Sequence, residues 1–259
     1  MLDLSPAEIH LWQYAIGQPP AAQHLAYAMT LLSGAEKQRC AGFYFERHRA
    51  EYALSHAMLR LVLSEYAPVK PQEWQFVTGD WGKPEIASPV TDTPLWFNLS
   101  HTDGFAVCVA GRVRQLGVDV ENMNRMESCD EIAQRFFAAA EYEYFRNLPP
   151  ALQREAFFRI WTLKEAYIKA EGKGLAIPLD SFHFRFPAGN SDEVTLEWTE
   201  SNHHGSNHLV SNSGVWSFFE FQPCPGYRIS IGVQETGHRA FHVECHQAAP
   251  LLAGPAACG

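Results

Sequence analysis

The chain has 259 residues, 46% hydrophobic and 19% charged, and carries a net charge of −9. Those proportions describe a soluble globular protein with ample core and exclude a disordered chain. The acidic balance argues against non-specific binding of nucleic acid, and it obliges any anionic ligand to find a local group of Lys and Arg.

The N-terminus lacks a basic region followed by an uninterrupted apolar run, so no signal peptide is expected. No apolar stretch approaches the ~20 residues of a membrane-spanning helix. Six cysteines are scattered without a C-x-x-C pair. That points to reduced, buried thiols in a cytoplasmic protein rather than to a zinc site or a disulfide framework. Twelve histidines raise a metal hypothesis, chiefly at "NHHGSNH" (202–208), but the Asn, Ser and Gly there read as a polar loop.

Residues 34–66 mix apolar and basic positions at helical spacing, interrupted at Gly42. "EWQFVTGDWGKPEI" follows as a strand, a glycine-containing turn and a short strand. "PLWFNLSHTDGFAVCVAG" predicts two more strands about a Thr-Asp-Gly turn, and "LGVDVE" (116–121) a further one. After the polar "NMNRMESCD" come two helical stretches. The first, "DEIAQRFFAAAEYEYFRNL", ends before Pro149-Pro150; the second, "REAFFRIWTLKEAYIKAEG", ends at Gly172. Strand-like runs close the series: "SFHFRF", "VTLEW", "VWSFFEF" and "YRISIGV". Helices followed by strands, twice over, predict an α+β fold of two similar halves, residues 1–121 and 122–240. The small-residue-rich tail, 241–259, is expected to be disordered.

Two stretches carry most of the chemistry. In "LGVDVE" the two-residue period of a strand puts Asp119 and Glu121 on one side, Val118 and Val120 on the other. The two carboxylates lie about 7 Å apart at Cα, close enough to converge on one cation. An edge strand with an acidic solvent face would have the same pattern. In "RIWTLKEAYIKAEGKGL", Ile160, Leu163, Tyr167 and Ala170 follow the spacing of a buried helix face. Glu165 and Lys169, four apart on another face, are neighbours. They are either a surface ion pair or a carboxylate beside a phosphate-binding ammonium.

"WGKP" holds Lys83 in a tight turn between Gly82 and Pro84, and "FNLSH" places Ser100 and His101 at a strand end. Adjacent strand residues face opposite ways and no G-x-S-x-G elbow exists, so Ser100 and His101 suit phosphate binding better than nucleophilic catalysis. Walker A and G-x-G-x-x-G patterns are absent. A D-x-E strand, a helix with Glu and Lys, and Lys, Ser and His on turns together suit metal-assisted phosphoryl or phosphate-ester transfer.

These motifs, in this order, resemble the 4′-phosphopantetheinyl transferases of the surfactin-synthetase-activating (Sfp) type. The resemblance runs from "GKP" (82–84) through "FNLSH" (97–101), "GVDVE" (117–121) and "RFFAAAEY" (135–142) to "WTLKEAYIKAEGKGLAIPLDSF" (161–182). It implies two α+β halves arranged as a pseudo-dimer, with the active site in the cleft between them, in a protein that is a monomer. It also implies transfer of the phosphopantetheine arm of coenzyme A to a serine of an apo acyl or peptidyl carrier protein, with release of adenosine 3′,5′-bisphosphate.

By the same resemblance, Asp119, Glu121 and Glu165 would hold Mg²⁺ together with the coenzyme A diphosphate. Glu165 would take the serine proton, directly or through a water, with Lys169 and Asp119 completing the catalytic group. Lys83 with Pro84, Ser100, His101 and Lys169 would hold phosphates of coenzyme A. Arg49, or Lys37 and Arg39, would meet the 3′-phosphate. Lys164 is a motif residue whose role stays open beside Lys169, and "RFFAAAEY" would contribute an apolar contact to the carrier. Two readings compete: a Mg²⁺-dependent hydrolase of a nucleotide diphosphate, and a silent module that binds coenzyme A or a carrier. The residues leave open whether the carrier serves fatty-acid, polyketide or non-ribosomal peptide synthesis.

Overall fold

The chain divides between Arg114 and Gln115 into two units, each with its own sheet and its own core. The computed structural model describes residues 1–17, 20–125, 128–186, 194–199, 215–235 and 240–254. In chain order the elements begin with β1 (Glu8–Ala15), α1 (Ala22–Leu31), α2 (Gly34–Ala41) and α3 (Glu46–Ser64). Two hairpins follow, β2 (Gln75–Thr78) with β3 (Pro84–Ser88), and β4 (Trp96–Thr102) with β5 (Phe105–Gly111). Next come β6 (Leu116–Asn122), α4 (Cys129–Phe136), α5 (Ala139–Asn147) and α6 (Pro150–Glu171). The chain continues with β7 (Phe182–Arg185), β8 (Thr195–Trp198), β9 (Trp216–Phe221) and β10 (Tyr227–Gln234), and then β11 (His242–Gln247) and α7 (Ala249–Leu252). The fold is α+β, as the alternation of the two periodicities predicts. Among the described residues no helix is long and apolar enough to cross a membrane.

Unit 1 comprises residues 1–79, 84–114 and 241–259. Its sheet runs β11-β1-β5-β4, with β1 parallel to β11 and antiparallel to β5. Every residue of β5 is buried, which is why "FAVCVAG" reads as a continuous apolar run rather than an alternating one. Trp12, Met58, Val62 and Phe97 are part of the core between sheet and helices. The predicted helix over 34–66 is two helices. Ser33 and Glu36 close a capping box at the start of α2. Glu36 also reaches Arg60, which is 2% exposed and donates to the Pro71 and Trp74 carbonyls as well.

Unit 2 comprises residues 80–83 and 115–240. Its sheet runs β6-β10-β9, all antiparallel, with α6 packed across β6 and β10. β7 and β8 form a separate hairpin. The apolar face predicted for α6 is buried at Ile160, Leu163, Tyr167 and Ala170. Gly172 ends the helix in the left-handed region at φ +72°, a conformation glycine adopts without penalty.

Four expectations change. The boundary falls before β6 rather than after Glu121, and the Lys83 turn joins unit 2. Residues 242–252 of the presumed disordered tail form β11 and α7. The open edge of β1 supplies a full ladder, from Glu8 opposite His242 to Gln13 opposite Gln247, and Ala248 and Leu252 are buried. Residues 255–259 of the expected disordered tail and the stretch 202–208, expected to be a polar loop, lie outside the described residues. The helix predicted from Asp130 is broken at Phe137 and Ala138, both extended, so that α5 turns Glu141 inward. Lastly, the described cysteines are free thiols, but only Cys40 and Cys108 are buried, and Cys245 is exposed.

Candidate functional site

β6 and α6 meet at a glycine. A β-carbon on Gly117 would lie 2.2 Å from the Ala166 carbonyl oxygen and 2.4 Å from the Ala170 nitrogen. The helix backbone therefore rests on the strand itself. Strand period then brings Asp119 and Glu121 onto the face beneath α6. That face is not a solvent face: Asp119 is 4% exposed and Glu121 half-buried. The alternating Ser230 and Arg228 of β10 pair with Asp119 and Glu121 along the ladder. Ser230 closes a hydroxyl bond of 2.7 Å to Thr162 of α6, and Arg228 is ion-paired with Glu155 and Glu220.

Lys169 reaches across to this strand. Its Nζ lies 2.6 Å from Asp119 Oδ1, so the close ion pair is between elements rather than with Glu165 within the helix. Glu165 is left with a pKa pushed up to about 7. Burial is the main cause, the Asp119 charge adds to it, and the Lys169 ammonium opposes both. A carboxyl group poised near neutrality beside an ammonium–carboxylate pair can exchange a proton at physiological pH. Three carboxylates on one strand and one helix turn also offer the all-oxygen, high-charge donor set that suits a hard divalent cation. Among the described residues their oxygens are not gathered within 4.8 Å of one another.

Lys83 has a different setting from the one the turn suggests. Its Nζ donates to the Ala170 carbonyl at 2.9 Å and the Leu116 carbonyl at 3.2 Å. It thereby staples the last turn of α6 to the start of β6. An ammonium has three N–H groups, so a phosphate could claim at most one. The same contact explains Gly172, where a β-carbon would stand 2.9 Å from Lys83 Cδ. Pro84, next in the chain, begins β3 opposite Thr78.

Lys164, whose role was open, is fully buried. It lies 2.7 Å from Glu141 and donates to the Leu179 and Phe182 carbonyls, both at 2.7 Å. Glu141 in turn accepts from the Ala138 and Phe184 backbone N–H groups. Burial pushes Lys164 down and Glu141 up against their mutual attraction. This network is structural, and the "RFFAAAEY" segment is part of it. Phe137 is 4% exposed and stacks on Phe157, so it belongs to the core, whereas Phe136 is half-buried and Arg135, Ala139 and Ala140 are exposed.

In unit 1, Ser100 is buried and His101 exposed on adjacent positions of β4, opposite Val107 and Ala106. Arg49, exposed near the start of α3, donates from Nε to the Phe43 carbonyl. Lys37 and Arg39 are exposed on α2, with the Arg39 guanidinium over the Tyr52 ring. His56, not singled out by the sequence reading, stacks on Tyr52 with ring centroids 3.9 Å apart. Its pKa falls to about 4, chiefly through burial. His101 adds to that lowering, and Glu36 opposes it. A helix-facing histidine four residues from Tyr52 was the available signal.

Comparison with known proteins joins these observations. Residues 115–232 match a family model described as the 4′-phosphopantetheinyl transferase superfamily. Residues 18–113 match one described as 4′-phosphopantetheinyl transferase, N-terminal. The junction of the two coincides with the boundary between the structural units. The chain is 38% identical over 176 residues to the 4′-phosphopantetheinyl transferase HetI of Nostoc sp., covering 68% of this chain and 73% of that one. It is 31% identical over 204 residues to the 4′-phosphopantetheinyl transferase Sfp of Bacillus subtilis, covering 78% and 82%. A further Bacillus subtilis relative, the 4′-phosphopantetheinyl transferase ffp, is 29% identical over 215 residues, covering 83% and 87%. With two adjoining family models and a relative of this identity spanning most of both chains, this protein belongs to the 4′-phosphopantetheinyl transferase superfamily.

Proposed function

We propose that this chain moves the 4′-phosphopantetheine arm of coenzyme A onto a serine of an apo acyl or peptidyl carrier protein. The observation that carries the reading is the group that α6 and β6 assemble, Lys169 Nζ at 2.6 Å from Asp119 Oδ1 with Glu165 one helical turn away and its pKa raised chiefly by burial. In the reaction the serine oxygen attacks the phosphorus that bears the pantetheine arm. A new P–O bond forms, and the bond to the leaving adenosine 3′,5′-bisphosphate breaks. Glu165 accepts the serine proton, directly or through a water. Lys169, already paired with a carboxylate, provides positive charge for the phosphates, and Ser100, His101 and Arg49 are assigned to coenzyme A phosphates by the family resemblance.

Asp119, Glu121 and Glu165 are the residues that would hold a divalent cation, with Mg²⁺ the choice for an all-oxygen set. Such an ion would offset the charge of the diphosphate as it accumulates. The deciding experiment incubates an apo carrier with coenzyme A and the protein and weighs the products. A carrier heavier by the phosphopantetheine arm, only when Mg²⁺ is supplied, supports the reading. Coenzyme A cleaved without any carrier product would make this a hydrolase, and neither product would make it a binding module.

A further inference from the structure

The first and last strands of unit 1 bring together three side chains that the transferase reading does not use. β1 and β11 run parallel with His10 opposite Glu244 and Trp12 opposite His246. Because alternate residues of a strand share a face, His10, Glu244 and His246 stand on one side of the ladder. One ligand atom from each lies within 4.8 Å of the other two. His10 Nε2 is 3.8 Å from one carboxylate oxygen of Glu244, and His246 Nε2 is 3.4 Å from the other. His10 is 3% exposed, and the Nε2 atoms of both histidines are buried with no hydrogen-bond partner. Buried polar atoms without partners are uncommon and costly. Here two of them converge on one carboxylate.

We propose that His10, Glu244 and His246 form a binding site for a zinc-class transition-metal ion, distinct from the Asp119, Glu121 and Glu165 carboxylates of unit 2. Two imidazoles and one carboxylate are a borderline donor set that favours Zn²⁺, Co²⁺ or Ni²⁺ over Mg²⁺. Metal–ligand bonds of about 2.0–2.1 Å at a tetrahedral ion space the ligands about 3.4 Å apart. The 3.4 Å and 3.8 Å contacts to the two Glu244 oxygens lie near that spacing, and the three ligand atoms lie within 4.8 Å of one another. Outer contacts fix the rings in the manner of metal-binding histidines. Trp12 Nε1 donates to the Tyr66 hydroxyl at 2.7 Å, and His10 Nδ1 lies 2.8 Å from the same oxygen. In the tautomer in which Nδ1–H donates to that oxygen, His10 Nε2 carries the lone pair a metal would take. His246 is stacked on Trp12, ring centroids 4.6 Å apart. Three protein ligands leave a fourth position for water. The ion would tie the first strand to the last, closing nearly the whole chain into a loop and so restricting the unfolded state.

The test adds Co²⁺ and Zn²⁺ to metal-free full-length protein in excess Mg²⁺, which keeps oxygen-rich sites filled. One equivalent of Co²⁺ should give the intense visible bands of tetrahedral cobalt, displaced by Zn²⁺, and Zn²⁺ should raise the melting temperature by several degrees. Glu244→Gln and His246→Gln should lose the bands and the thermal shift with an unchanged circular-dichroism spectrum. Glu244 is 54% exposed, so its substitution leaves the core intact. Absence of both signals in the wild type overturns the proposal, as does their survival in either variant. Thiolate-to-cobalt charge-transfer bands that vanish in Cys245→Ser would place the ion on cysteine and overturn it equally.

Discussion

Gly117 lies directly beneath Ala166, so close that a β-carbon would stand 2.2 Å from the Ala166 carbonyl oxygen. The obstructing atoms belong to a helix backbone and cannot rotate aside. Gly117→Ala must push α6 away from β6 at the point where Asp119, Glu165 and Lys169 meet. We expect destabilisation at or above the ~1–3 kcal/mol typical of overpacking, with transfer activity falling further than the folded fraction does. Urea unfolding and turnover on one preparation would check this. A variant of wild-type stability would show that helix and strand are not in contact there.

In the proposed cation site, Glu165 would make metal binding and proton release a single event. Its folded pKa, about 7, lies above the ordinary value of 4.5. Between those two values the folded chain holds more protons than the unfolded one, so the metal-free protein should lose stability as pH rises through that window. Glu165→Gln should flatten that slope. Near pH 7 part of the carboxyl group is protonated, and a divalent cation that recruits it should release a fraction of a proton. Calorimetry in buffers of different ionisation enthalpy would measure this. The same variant should reduce arm transfer at least ~10²-fold while coenzyme A affinity changes less. Proton-silent Mg²⁺ binding by the wild type would remove Glu165 from the cation site.

What could be read in advance followed the range of each signal. Strand parity in "LGVDVE" put Asp119 and Glu121 on one face, and helical spacing put Glu165 beside Lys169, because both rules act within a few residues. The partner Lys169 chose could not be read that way, since Asp119 is 50 positions distant and arrives only when Gly117 admits the helix. The two carbonyls that Lys83 holds could not be read in advance, because backbone acceptors leave no trace in a sequence. β1 and β11 went unseen for a related reason: each is stabilised by a parallel partner from the opposite end of the chain. The false continuity of α4 and α5 arose from unbroken apolar spacing. The break appears only with the buried Glu141–Lys164 pair that it serves.

Lys83 separates two roles that a loss of activity alone would confuse. As a staple it contributes two hydrogen bonds from a charged donor, and Lys83→Met should cost about 1.5–3 kcal/mol. As a phosphate anchor it would chiefly raise KM for coenzyme A. The structure leads us to expect the stability loss, with a KM change smaller than that of Lys169→Met. A Lys83→Met protein that melts normally but binds coenzyme A poorly would reverse the assignment and make the staple incidental.

Lys164 and Glu141 allow the strongest test of a purely structural reading within the most telling motif. Lys164→Met leaves a buried carboxylate facing only the Ala138 and Phe184 N–H groups, and should cost about 3–5 kcal/mol. Glu141→Leu leaves a buried ammonium on two carbonyls and should cost a similar amount. The double variant removes both charges and should be less destabilised than the sum of the singles, though still below wild type because four backbone groups lose partners. Denaturant unfolding of the four proteins gives the coupling energy directly. If the pair is structural, turnover per folded molecule should stay near normal in the double variant, with KM for coenzyme A unmoved. A fall in turnover without loss of stability in Lys164→Met would instead mean that this lysine, next to Glu165 in the chain, acts on the substrate.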